Sequence, residues 1–111
     1  MATDLVDAVI VELKKASVFA SRVSRGWPAV TTLQPLCGVQ ENVNGESGID
    51  HHLASWGIQV DSWAKSPTDI VAIKVAVKVV ADKYHSVVHH RAIPEAGDTH
   101  IVSTFDVLGG F

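Results

Sequence analysis

The chain of 111 residues predicts an α+β fold, an antiparallel or mixed sheet with two helices packed on one face, in the order α-β-β-β-α-(β)-β. Three observations lead there. Ala54, Trp56, Ile58 and Val60 alternate with Ser55, Gly57, Gln59 and Asp61, which is the period of a strand with one buried and one polar face. Ser66-Pro67-Thr68-Asp69 then starts a helix: a hydroxyl to cap free amides, a proline at the first helical position and a carboxylate three residues after the cap. A second amphipathic helix lies near the N-terminus, and elsewhere β-branched runs are punctuated by turn formers.

Taken in order, Thr3 is placed to cap a first helix over about residues 3–20. Asp4 and Asp7 in its first turn and Lys14 and Lys15 further along complement the helix dipole. Val6, Val9, Ile10 and Leu13 give it one apolar face. Gly26-Trp27-Pro28 ends that pattern, because Pro28 pushes Trp27 into an extended conformation and glycine permits a turn. From Ala29 to Val43, Pro35 and Gly38 interrupt the apolar residues, giving two short strands or one strand with a bulge. Asn44 to Asp50 is dense in turn formers and joins this region to the central strand as a hairpin.

The period-2 phase puts Trp56 in the core and Trp63 on the opposite side at the strand end. The second helix runs from about Pro67 to Tyr84, with Ile70, Ile73, Val77, Val80 and Tyr84 at helical spacing and Lys74, Lys78 and Asp82 on the wet side. Its many valines raise a rival strand reading; the cap and the period favour the helix. His85 to Ala92 forms a short strand or an extended arm, Pro94 to Asp98 a turn, and Thr99 to Leu108 a closing strand.

A chain of this length suits one domain, residues 1–111, able to bury a core without metal or disulfide. With 47% hydrophobic and 19% charged residues the composition is that of a folded protein. The formal charge of -3 and the scattered lysines do not make a phosphate-binding surface, so sequence-specific nucleic-acid binding is not expected. The single cysteine, Cys37, forms no internal disulfide, which fits folding in a cytoplasm. Acids stand where a secretory leader would place positive charge, and no apolar run reaches membrane-spanning length, so neither a leader nor a membrane partner is expected.

The six histidines invite a metal reading, above all His51-His52, His89-His90 and the His85/His89 pair. Adjacent strand residues face opposite ways, so each double histidine offers one imidazole to a given site, and the third pair needs the second helix to continue past Val87. Exposed strand-end histidines are the plainer reading, and no metal or other cofactor is expected. Cys37 lacks any nucleophile signature and reads as a small buried side chain. Asp61 and Asp106 read as solvated strand acids. With no phosphate loop, zinc-protease helix or nucleophile elbow, an enzyme is not expected. Trp27 and Trp63, outside the apolar phase, are candidates for a subunit contact.

The N-terminal helix, the Trp27-Pro28 entry, the turn-rich hairpin from Gly45 to Asp50, the Gly57-Ile58-Gln59-Val60-Asp61-Ser62-Trp63-Ala64 strand running into Ser66-Pro67, and the terminal His100-Ile101-Val102-Ser103-Thr104-Phe105-Asp106-Val107 strand together resemble the tail terminator or tail completion proteins of long-tailed bacteriophages. The resemblance spans nearly the whole chain and is one of pattern and order. It implies a structural protein of the virion, assembled in the host cytoplasm into a ring, usually of six copies, at the head-proximal end of the tail tube. Such a ring stops tube growth and presents a surface to the head connector, so its partners are further copies, the tail-tube protein and the connector protein. A head-closure or connector role in the phage neck uses the same sort of subunit; a small metal- or ligand-binding enzyme domain is the alternative of another class. Within the ring reading, Glu41, Asn44, Glu46 and Asp50 of the hairpin, with Trp27 and Trp63, are the expected interface residues.

Overall fold

The computed structural model describes residues 5–28, 34–41, 55–95 and 97–108. Along them run α1 (Leu5–Lys14), a 3-10 turn (Ser17–Phe19), β1 (Val23–Arg25), β2 (Leu36–Glu41), β3 (Ser55–Ala64), α2 (Pro67–Lys83), β4 (His89–Glu95) and β5 (Asp98–Leu108). The five strands form one mixed sheet in the order β1-β2-β3-β5-β4. Only β1 and β2 are parallel; the other neighbours are antiparallel. The α+β class and the order of elements are those the sequence predicts, with the first strand at Val23–Arg25, ahead of Gly26-Trp27-Pro28.

The core is built from one phase of each long strand. Cys37 and Val39 of β2, Ile58, Val60 and Ala64 of β3, and Ile101, Phe105 and Val107 of β5 are buried in one cluster with Leu5, Val6, Val9 and Leu13 of α1 and Ile73, Val77 and Val80 of α2. Burial of these side chains is the main drive for closing the helices onto the sheet, about 1.5–3 kcal/mol for each large one. The α2 start is as the sequence specifies: Ser66 Oγ accepts from the Asp69 amide at 3.1 Å, and Pro67 opens the helix. The valines are therefore helical, and the strand alternative for this segment falls.

Several boundaries move. The first helix stops at Lys14, not near residue 20, because Ala16 is extended and Ala20 and Ser21 take positive φ. Ser17, Val18 and Phe19 are poor helix formers, and the 3-10 turn they make fully buries Phe19. β1 has only three residues, with one buried apolar side chain, too little for a periodic signal. β2 pairs without interruption from Leu36↔Trp63 to Glu41↔Ile58, so Gly38 marks no bulge. Gly26 to Pro28 cross the sheet above Gly38 instead: a Cβ at Gly38 would collide with the Gly26 carbonyl oxygen and lie 2.9 Å from Pro28 Cδ. Gly26 itself turns at φ +72, open to glycine without steric cost.

Pro94 belongs to β4, not to the turn, which Gly97 makes at φ +79 between Glu95 and Asp98. β4 is an edge strand, where a residue without an N–H is tolerated. Thr3, the hairpin residues Asn44, Glu46 and Asp50, and His51 and His52 lie outside the described residues, as does the side chain of Trp56 within β3.

Candidate functional site

The phase of β3 and β5 opposite the core carries a polar and aromatic cluster. Antiparallel register sets Trp63 beside His100 and Asp61 beside Val102, and β4 adds Ile93 beside His100. Asp61 is only 3% exposed. A buried carboxylate is costly unless its lone pairs are met, and they are. Gln59 Nε2 donates to Oδ2 at 2.9 Å, Gln40 Nε2 to the same oxygen at 3.3 Å, and His100 Nε2 lies 2.8 Å from Oδ1. The other imidazole nitrogen, Nδ1, lies 3.3 Å from Glu95 Oε2. A doubly protonated ring donates to both carboxylates, whereas a neutral ring donates to one.

The aromatic rings stack on this polar base. Trp63 lies flat on His100, with centroids 4.4 Å apart and planes 8° apart. Trp27, brought across the sheet by the Gly26 turn over Gly38, tilts against Trp63 at 5.4 Å and His100 at 5.8 Å. Its indole remains 64% exposed. Large aromatic surface packed on one side against other rings and open to water on the other is what a binding anchor offers.

Of the expected interface residues, Trp27 and Trp63 are thus brought together. Glu41 is not: it is exposed at the far end of β2, five residues from Leu36↔Trp63, roughly 17 Å along a strand. The reading of Asp61 as a solvated acid is corrected, because three polar side chains surround it where water would be; Asp106 is exposed. The expectation of exposed histidines fails for His100, which Trp63 and Trp27 cover. His100 and Glu95 were not singled out by sequence. Their signal lies in the strand register, since residues in the polar phases of neighbouring strands become partners only once the pairing is known.

The remaining chemical candidates are structural. His85 lies beyond the end of α2, so His85 and His89 share no helix. His89 is exposed, while His90 faces the other way and its Nδ1 lies 2.7 Å from Ser103 Oγ. Burial first, then the positive charge of Lys74, holds the His90 imidazole below its ordinary pKa. Burial, with a smaller push from Asp61, raises the Cys37 thiol to about 12, so it stays protonated and unreactive. No group of three or more His, Cys, Asp or Glu among the described residues is arranged to hold a metal ion.

A second surface feature lies on the helices. Val71, Val75 and Val79 are exposed along one side of α2, beside a largely apolar groove of about 590 Å³ between α2 and the α1 end, lined by Ala16, Val18, Val75, Ala76 and Val79. No helix among the described residues is long and apolar enough to cross a membrane. No protein-family model matches the chain, and no curated protein matches it in sequence.

Proposed function

We propose that this chain is a structural subunit of a long-tailed phage, forming a ring at the head-proximal end of the tail tube that ends tube polymerisation and offers the head-joining surface. The observation that carries a docking role is Trp27, 64% exposed yet packed against Trp63 and His100. Exposed, preorganised tryptophan is the side chain most enriched among the anchors of protein interfaces. A closed ring also needs two unlike patches on each subunit, one for each neighbour. The aromatic cluster on the sheet and the valine-lined groove beside α2 are two surfaces of different shape and chemistry, from which unlike contacts can be built.

The Asp61–His100–Glu95 array is the nearest thing to a catalytic set, and its geometry favours a structural role. Both imidazole nitrogens are engaged by carboxylates, and the ring is 7% exposed under Trp63. No nitrogen is left to take a proton from a substrate. Electron microscopy of the purified protein, alone and with tail tubes, tests the proposal. Rings seated on one end of the tubes are expected; tubes that remain bare, with the protein bound to isolated connectors instead, would place the subunit in the neck.

A further inference from the structure

The aromatic cluster is bordered by hydrogen-bond acceptors that, among the described residues, no lysine or arginine meets. Glu95, whose side chain is 46% exposed, has His100 as its ion-pair partner among the described residues. Asp98 accepts a bond at 3.3 Å from Gln34 Nε2, the one side-chain bond it makes among the described residues. Acceptors gathered beside tryptophan faces suit one side chain above the others: the guanidinium is planar, carries five donors, stacks on aromatic rings and is more weakly hydrated than an ammonium.

The same chain carries the matching group. Of its three arginines, Arg22 donates to the Pro35 carbonyl at 2.8 Å and Arg25 to Asp7 at 2.9 Å. Arg91 is exposed in β4, and its guanidinium has no partner among the described residues. It shares the face of Ile93 and Glu95 by strand alternation. Four residues of strand separate Arg91 from Glu95, roughly 13 Å, so it is poorly placed to fill the acceptor cluster of its own chain. We infer that the box formed by Trp27, Trp63 and His100 with Glu95 and Asp98 receives Arg91 of a second copy of this chain. The inference rests on the ring reading and specifies one contact between copies: the exposed arginine of one subunit meets the aromatic and acidic cluster of the next.

The test is the self-association of wild type, Trp27→Ala, Arg91→Gln and the double variant, followed by sedimentation over a concentration series. Circular dichroism checks that each variant is folded, and the exposure of both side chains makes that the expected result. Each single substitution should raise the half-assembly concentration about tenfold or more. The double variant should be little worse than either single one, because both remove the same contact. Assembly unchanged in both single variants would overturn the inference and leave the ring reading standing. A roughly hundredfold additive loss in the double variant would show that the two side chains act at separate places, and would also overturn it. A wild-type protein that stays monomeric, with and without tubes, would contradict both.

Discussion

His100 is the residue on which the aromatic cluster and the buried carboxylate both depend. Replacing it by alanine strips Asp61 of its 2.8 Å partner while the carboxylate stays buried, and removes the ring on which Trp63 lies. His100→Ala should therefore lower unfolding stability by about 3 kcal/mol in urea titration, the scale of a broken buried pair. His90 has a distinct signature. Its folded-state pKa lies below the ordinary 6.5, chiefly through burial, so below that pH the unfolded chain binds a proton that the folded chain refuses. Its contribution is intact above pH 6.5 and is lost as pH falls through the folded value. Urea midpoints of wild type should drop between neutral and mildly acidic pH more than those of His90→Asn, and parallel curves for the two proteins would contradict this. These residues were only half legible in the sequence. Period-2 alternation assigned Asp61 and Trp63 to the polar phase correctly, but not which residues on β5 and β4 would close over them. The same phase on a central strand is wet or dry according to its neighbours, which periodicity does not contain.

Among the elements, α2 was the most legible because its start is written in local chemistry: hydroxyl, proline and carboxylate at fixed offsets, with Ser66 Oγ bonded to the Asp69 amide. Ser66→Ala should cost about 1 kcal/mol, read as a shift in denaturant midpoint without change in slope. The Gly26–Pro28 crossing was not legible, since it depends on a tertiary approach. Sequence placed Gly38 at a bulge or break in a strand, whereas its missing side chain makes room for the Gly26 carbonyl and the Pro28 ring. Gly38→Ala should therefore destabilise by about 2–3 kcal/mol, as overpacking does, and should perturb tryptophan fluorescence by displacing Trp27. An unchanged spectrum and midpoint would show that the crossing has slack. β1 and the end of α1 were missed for a related reason: the burial of Phe19 and the parallel pairing of Val23 with Cys37 outweigh local helix preference there. β4 emerged as the strand alternative of a segment that local pattern left between strand and arm, stabilised by its pairing with β5.

At the scale of the whole molecule, one phase of the strands shares a buried cluster with residues of both helices while the other carries polar and aromatic side chains, so the two phases differ in chemistry. The fold class followed from patterns along the chain. The union of Trp27 with Trp63 did not, because residues 36 positions apart meet only through the crossing over Gly38. An assembly subunit makes sense of an exposed tryptophan packed against Trp63 and His100, and of an arginine that has no partner among the described residues on the same sheet face. The most direct measurement is the length distribution of tail tubes polymerised with increasing amounts of this protein, imaged by electron microscopy. Wild type should shorten the tubes in proportion to its concentration and appear as a ring on one end of each, whereas Trp27→Ala, equally folded, should do so only at about tenfold higher concentration. Tubes of unaltered length with uncapped ends at saturating wild-type protein would contradict the account.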